Sequence, residues 1–154
     1  MKGLKIKDIS VKAKEGLYGI VFTSWNPSIV QDLLKETKKE LISQGVDETN
    51  IYLKEVPGAF ELPLATLFMA KKEGILSVIS LGAIIRGDTP HFDFISSSCL
   101  EGLQEVSLKT RIPVICGVLT TNTIEQAEER SNPNKMNKGK EFALTALNMV
   151  DSLS

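Results

Sequence analysis

Residues 82–93 read GAIIRGDTPHFD, and this stretch decides how the rest of the chain is interpreted. An apolar run that includes Val78, Ile79 and Leu81 leads into it, and a helical pattern follows it. In open α/β sheets a ligand binds where a buried strand gives way to a glycine-rich loop and a helix begins, because the first N–H groups of the helix have no partner there. We therefore expect a ligand site at this stretch.

Short apolar segments alternate with helical patterns on both sides of it. Strands are predicted at 18–24, 50–55, 77–81 and 114–119, and helices at 27–44, 62–73, 94–109, in a short segment ending at 129, and at 139–153. This alternation is typical of a parallel sheet covered on both faces. The prediction is one α/β domain over residues 1–154, a three-layer α/β/α sandwich with a four-stranded parallel sheet. Residues 1–16 alternate weakly and are predicted to be an N-terminal strand or tail that pairs with a neighbouring subunit.

Composition excludes several classes of protein. A formal net charge of -1 argues against nucleic acid and against the membrane surface as partners. No apolar run approaches the roughly 18 residues of a membrane span, and residues 1–10 lack the apolar core of a secretory signal. Two cysteines, Cys99 and Cys116, and one histidine are too few for a typical zinc site. We expect a cytoplasmic protein with reduced thiols and no structural metal.

The predicted strand ends carry the polar and aromatic candidates. Because the carboxyl ends of parallel strands meet at one edge of a sheet, residues 24–26, 56–61, 82–93 and 117–121 are expected to be neighbours. Trp25 is either core filler or a flat surface on which a ring ligand stacks. Glu61 is either a charge that suits a helix N-terminus or an acceptor for the hydroxyls of a polyol.

The central stretch resembles a phosphate-binding loop without being one. Residues 82–89 have the form GxxxxGDT, but Asp88 stands where such a loop has its lysine, so a nucleoside triphosphate is not expected. A single phosphate is expected against the backbone N–H groups of residues 87–89. His91 is either a capping or packed imidazole or a proton carrier, and Arg130 is either an ordinary basic residue at a helix C-terminus or an anion ligand.

Four motifs in order carry a resemblance to one family. They are VPGAFELPLA at 56–65, LGAIIRGDTPHFD at 81–93, PVICGVLTTNTIEQAEER at 113–130 and NKG at 137–139. Together they strongly resemble the lumazine synthase (6,7-dimethyl-8-ribityllumazine synthase) family over about residues 17 to 153. The resemblance implies a flavodoxin-like sheet, which agrees with the pattern of strands and helices.

The resemblance also implies a reaction and a set of site residues. The reaction is the condensation of 5-amino-6-(D-ribitylamino)uracil with 3,4-dihydroxy-2-butanone 4-phosphate, the penultimate step of riboflavin biosynthesis, and it uses no cofactor and no metal. His91 would relay protons. The ribitylaminouracil would be bound by Trp25 (stacking on the ring), Ala59, Phe60 and Glu61 (ribityl chain), Ala83, Ile84 and Ile85 (pyrimidine edge), Cys116 and Lys138. The butanone phosphate would be bound by Gly87, Asp88, Thr89 and Arg130, with Lys138 near its phosphate.

The partners implied are two small-molecule substrates and other copies of the chain. The resemblance implies a pentamer whose sites are shared by adjacent subunits, and it permits twelve pentamers in a 60-subunit shell and riboflavin synthase as a partner. Cys116 stands where many relatives have an aromatic residue, and the sequence of the loop at 131–136 departs from the usual sequence of the family. These two departures support an alternative, a non-catalytic shell protein of the same fold that binds flavin or lumazine. A flavodoxin-type electron carrier is less favoured because the chain lacks a strong acidic bias.

Overall fold

The computed structural model describes residues 8–154 and contains one four-stranded sheet. All neighbouring strands pair in parallel, in the order β2-β1-β3-β4. The strands are β1 (Leu17–Thr23), β2 (Ile51–Val56), β3 (Ile75–Ile85) and β4 (Val114–Thr121). The predicted number of strands and their parallel pairing are confirmed.

Helices cover both faces of the sheet. One face carries α1 (Val11–Lys14), α2 (Pro27–Ser43), α5 (Ile124–Ser131) and α6 (Lys138–Ser152), and the other carries α3 (Leu62–Ala70) and α4 (His91–Thr110). Each face has its own apolar core. Short 3-10 turns, Glu48–Asn50 and Ala59–Glu61, precede β2 and α3. The predicted three-layer sandwich with a flavodoxin-like sheet is therefore confirmed.

Two predicted boundaries around the central stretch are wrong. Strand β3 continues to Ile85 instead of ending at Leu81, because residues 82–85 pair with β4 from Val118 to Thr121. Helix α4 begins at His91 instead of Phe94. The connecting loop is thus residues 86–90, shorter than a phosphate-binding loop spanning 82–89 would be.

The strand predicted at the N-terminus is wrong where the structure describes it. Residues 1–7 lie outside the described part of the chain, and Val11–Lys14 form the short helix α1. The Ser10 hydroxyl caps this helix by accepting from the N–H of Ala13 at 3.1 Å. The buried Tyr18 hydroxyl donates to the Ala13 carbonyl at 2.8 Å, and burial together with the nearby Asp151 charge raises the pKa of Tyr18, so this donor keeps its proton.

The same segment is tied to the end of α6. The backbone N–H of Ser10 donates to one carboxylate oxygen of Asp151 at 3.1 Å, and the Ser10 hydroxyl donates to the other. Two contacts of this kind hold α1 beside the last turn of α6, at the edge of the sheet where the strands begin.

No helix of residues 8–154 has the length and apolar character that crossing a membrane requires.

Helices α2 and α6 approach closely at Gly139. A Cβ atom at this position would lie 2.7 Å from the carbonyl oxygen of Leu33 and 3.2 Å from the backbone nitrogen of Thr37. The Thr37 hydroxyl donates to the carbonyl of Gly139 at 3.0 Å, in a buried position. Since two of the three nearest atoms belong to the backbone of α2 and the third is the Cβ of Glu36, the helices would have to move apart to admit a side chain.

We predict that Gly139→Ala destabilises the fold by about 1–3 kcal/mol, because overpacking forces the backbones of α2 and α6 apart. Urea unfolding followed by circular dichroism measures this change. The matched control is Gly87→Ala, since a Cβ at Gly87 meets no atom within 4 Å. Equal unfolding midpoints for the two variants would contradict the close-approach argument.

Candidate functional site

The topology opens a crevice between the carboxyl ends of β1 and β3. Strand β1 leads into α2 on one face of the sheet, while β3 leads into α4 on the opposite face. The two adjacent strands therefore send their chains in opposite directions. This arrangement is the switch point at which open α/β sheets bind ligands, because the loops diverge and leave space between them.

A cleft of about 500 Å³ occupies this crevice. We call it the indole cleft. It contains most of the residues predicted from the sequence, namely Trp25, Ala59, Phe60, Glu61, Ala83, Ile84, Ile85, Gly87, Thr89 and His91, and in addition Asn26, Phe92 and Ile95. Residues far apart in the sequence are brought together here, as expected for the ends of β1, β2 and β3.

Trp25 forms one wall of the indole cleft. Its side chain is 65% exposed in the single subunit, which excludes the interpretation as core filler. The backbone is fixed because Ser24 and Trp25 donate to the carbonyls of Val56 and Pro57 at 2.8 and 3.2 Å, continuing the β1–β2 ladder. The indole lies against Gly58, where an added Cβ would be 2.4 Å from a ring carbon. The result is a flat aromatic surface open to the cleft.

The loop after β3 forms the opposite wall. His91 is the first residue of α4 and is exposed, so the interpretation as a packed imidazole is wrong. Its backbone N–H donates to the hydroxyl of Thr89 at 3.4 Å, two residues earlier in the chain, while Pro90 occupies the N-cap position. Within residues 8–154, no backbone N–H of Gly87, Asp88 or Thr89 donates to another residue. Three free donors beside a helix N-terminus favour an anion at this point.

Two further polar groups line the indole cleft. One carboxylate oxygen of Glu61 accepts from the N–H of Gly58 at 3.1 Å, and the side chain is exposed, so Glu61 both stabilises its own turn and presents oxygen atoms to the cleft. Asn26, the N-cap residue of α2, has a left-handed conformation with φ 56 and makes no side-chain cap hydrogen bond. Its amide donates instead to the carbonyl of Ala83 at 3.1 Å, which ties α2 to β3 across the switch point.

Arg130 lies in a second cleft of about 490 Å³, which we call the arginine cleft. Its guanidinium donates to the carbonyl of Gln126 at 2.9 Å, within α5. The arginine cleft is also lined by Arg86, by Thr120, Thr121 and Asn122 at the end of β4, and by Ser96, Ser97 and Leu100 of α4. Phe92 lines both clefts. Within one subunit, therefore, Arg130 does not share a cleft with Trp25 and His91.

Three predicted residues line neither cleft. Asp88 is exposed in the loop between them. Cys116 is exposed on β4, five residues before the strand ends. Lys138, the first residue of α6, pairs with Glu141 at 2.7 Å. No group of three or more His, Cys, Asp or Glu side chains in the described chain is arranged to hold a metal ion.

The thiol of Cys99 is unreactive. Cys99 is buried in α4, and desolvation raises its pKa to about 12. A thiol with such a pKa is protonated at neutral pH, and the thiolate is the nucleophilic form. Cys99 is therefore a packing residue of the α4 core.

Sequence reasoning missed Phe92, Ile95 and Arg86 as residues of the two clefts. Phe92 and Ile95 belong to the first turn of α4, and starting that helix three residues too late hid the fact that positions 91, 92 and 95 share one end of it. A signal was present in the sequence, because Pro90 is well suited to a helix start. For Arg86 the only signals were its residue type and its position directly after an apolar run.

Comparison with known protein families identifies a match over most of the chain. The family model described as 6,7-dimethyl-8-ribityllumazine synthase matches residues 17–154. The match covers nearly the whole chain and all of the residues that line the two clefts.

We predict that Gly58→Ala displaces the indole of Trp25, because the new methyl group would occupy the space of two ring carbons. Trp25 is the only tryptophan, so the emission maximum of the intrinsic fluorescence reports its displacement directly. The control is again Gly87→Ala, which lines the same cleft and meets no neighbouring atom. An unchanged emission spectrum in Gly58→Ala would mean that the indole does not rest on residue 58.

Proposed function

Since the chain belongs to the 6,7-dimethyl-8-ribityllumazine synthase family, we propose that it catalyses the reaction for which the family is named. It would condense 5-amino-6-(D-ribitylamino)uracil with 3,4-dihydroxy-2-butanone 4-phosphate and release inorganic phosphate and water. We further propose that it does so in the cytoplasm, as a transferase that requires no cofactor.

The observation that carries this proposal is the composition of the indole cleft. An exposed indole, one imidazole and two residues whose backbone N–H groups have no partner, Gly87 and Thr89, line a single cavity. The indole suits a planar heterocycle, the imidazole suits a proton transfer, and the backbone N–H groups suit a phosphate. Glu61 and the backbone at 59–61 would take the ribityl hydroxyls, and residues 83–85 the pyrimidine edge.

Positioning is proposed to account for most of the rate. Holding two reactants in attack geometry supplies roughly 7–11 kcal/mol. A single acid–base group supplies about 10²–10⁴-fold in rate, which corresponds to roughly 3–5 kcal/mol. His91 would move protons to and from the amine, the carbonyl oxygen and the leaving groups, while Trp25 and the amides of the loop hold the two substrates together.

Arg130 would reach the substrate phosphate from a neighbouring subunit. The two clefts of one chain are different surfaces, so joining the indole cleft of one copy to the arginine cleft of the next is a heterologous contact. Such contacts form a ring when the rotation between copies closes. Arg130 has no carboxylate within ion-pair distance among the described residues, so its charge is available to an anion. We propose a pentameric ring on this basis together with the family resemblance.

An apolar surface supports association between copies. It is formed by the edge strand β2 and helix α3, where Tyr52, Leu53, Leu64 and Phe68 are 43 to 71% exposed. A contiguous patch of this kind is typical of a protein–protein interface. Assembly of pentamers into a 60-subunit shell, and association with riboflavin synthase, stay predictions of the resemblance.

A non-catalytic protein that binds lumazine or flavin is the second candidate. The ion pair between Lys138 and Glu141 favours it, because this lysine is already occupied and is not presented as a free cation. The exposed Cys116 offers no aromatic wall from the neighbouring subunit. An assay of product formation from the two substrates separates the two candidates, since the non-catalytic protein would bind the product and fail to form it.

We predict that the purified protein forms lumazine from the two substrates and that His91→Ala lowers kcat by about 10²-fold without abolishing turnover, because positioning survives the loss of one acid–base group. Product absorbance measures the rate, with the uncatalysed condensation as background. Ligand binding without turnover in the unaltered protein would favour the shell protein. A rate equal to background in correctly folded His91→Ala would contradict the assignment of most of the rate to positioning.

We predict that mixing two impaired variants restores activity. Trp25→Ala damages the indole cleft and Arg130→Ala damages the arginine cleft, so co-assembly should produce intact sites in about a quarter of the contacts if each site joins two different surfaces. The variants are unfolded together and refolded as a mixture, and the control is the same pair refolded separately and then combined. If the co-refolded mixture is no more active than that control, each site lies within one subunit or Arg130 lies outside it.

A further inference from the structure

We infer that Arg86 is a positioning residue, which fixes the wall between the two clefts and thereby the placement of His91 relative to the bound phosphate. The inference rests on the proposed function for its kinetic part. It concerns a residue that lines the arginine cleft beside Arg130 and that would on residue type alone be taken for a second phosphate ligand.

Arg86 contacts four residues and thereby joins three segments of the chain. Its Nη1 and Nη2 atoms donate to the two carboxylate oxygens of Asp93, each at 3.3 Å. Its Nε atom donates to Asn122 Oδ1 at 2.9 Å, and its guanidinium carbon lies 4.3 Å from the centre of the Phe92 ring. Its backbone N–H donates to Thr121 at 2.9 Å. The end of β3, the first turn of α4 and the end of β4 therefore meet at one side chain.

The contacts of Arg86 distinguish it from Arg130. The charge of Arg86 is offset by a two-pronged ion pair with Asp93, one face of its guanidinium is covered by Phe92, and Nε is taken by a side-chain amide. The Arg130 guanidinium makes one hydrogen bond, to a backbone carbonyl, and has no ion-pair partner among the described residues. A phosphate would therefore find an uncompensated cation at Arg130 and a neutralised one at Arg86.

The Arg86–Asp93 pair is too exposed to serve mainly for stability. The two side chains are 43% and 59% exposed, and ion pairs at such positions contribute little to folding free energy because water screens them. The pair instead fixes the position of the first turn of α4 relative to the end of β3. Phe92 lies in the wall that both clefts share, and His91 precedes it directly in the chain. A shift of the first turn of α4 would move the imidazole away from the substrates.

Four variants test this inference. Arg86→Lys keeps the charge and loses the planar fork, Asp93→Asn keeps the shape and loses the charge, and the double variant combines them. The control is Lys109→Gln, which breaks a comparable exposed pair with Glu105 in the same helix, away from both clefts. The measurements are kcat, KM for each substrate and the thermal midpoint.

We expect Arg86→Lys and Asp93→Asn each to lower kcat about 10- to 100-fold, since a displacement near 1 Å costs on that order. KM for the butanone phosphate should change little. The double variant should be no slower than the slower single variant, because both substitutions remove the same link. Lys109→Gln should match the unaltered protein, and all four thermal midpoints should agree closely.

A direct phosphate ligand would behave differently. In that case Arg86→Lys raises KM for the phosphorylated substrate with little change in kcat, while Asp93→Asn frees the guanidinium and lowers that KM. This pattern, or unchanged kinetics in both single variants, would overturn the inference.

One readout does not depend on turnover. The chain has a single histidine, so its imidazole gives one Cε1–H signal in an NMR spectrum. Arg86→Lys and Asp93→Asn should shift or broaden that signal, and Lys109→Gln should leave it in place. If the unaltered protein forms no lumazine, the proposed function fails and the NMR result still decides whether Arg86 places His91. An unmoved signal in both variants would rule out the positioning role.

Discussion

The parallel pairing of β1 with β3 is the constraint on which the rest of the molecule depends. These two strands are adjacent in the sheet, yet the helices that follow them pack on opposite faces. The backbone has to diverge at their carboxyl ends, and a crevice forms there whatever side chains the loops carry. Asn26 bridges this divergence through its bond to Ala83, so the position that starts α2 is fixed relative to the end of β3. The chemistry of the loops is thus added to a space that the topology has already made.

The chemical groups are divided between two clefts that share only one aromatic wall. The indole cleft holds the stacking surface, the imidazole and the free backbone amides of Gly87 and Thr89, while the arginine cleft holds Arg86 and Arg130. A single subunit leaves large apolar side chains exposed beside both. This division explains why an isolated chain would be a poor catalyst under the proposed mechanism, and why assembly and activity would be linked. Arg86 and Phe92 at the boundary would transmit a change in one cleft to the other.

Much of the fold could be predicted because the strands are short, apolar and separated by clear helical patterns. Most residues of the indole cleft were also predictable, since parallel pairing alone brings the carboxyl ends of β1, β2 and β3 to one edge of the sheet, whereas Phe92 and Ile95 depend on where α4 begins. The end of β3 was not, because residues 82–85 combine a glycine with small and branched apolar residues, and only the partner strand β4 decides that they stay extended. Helix α1 was hidden for a similar reason. Its alternating residues resemble a strand, and the contacts that select a helix come from Tyr18 and Asp151, which are distant or buried.

The separation of Arg130 from Trp25 lies outside what one sequence can tell. The resemblance places both in a common site, but it does not say which copy of the chain supplies each. The role of Arg86 was equally hidden, since its partners Asp93 and Asn122 are 7 and 36 residues away and meet it only after three elements have packed.

The hydrogen bonds between Ser10 and Asp151 have a consequence of another kind. They bring the two ends of the described backbone together at the edge of the sheet farthest from both clefts. A short peptide that joins residue 8 to residue 154, with residues 1–7 removed, would close this backbone into a circle, and new ends could then be opened in a surface turn without the backbone crossing either cleft.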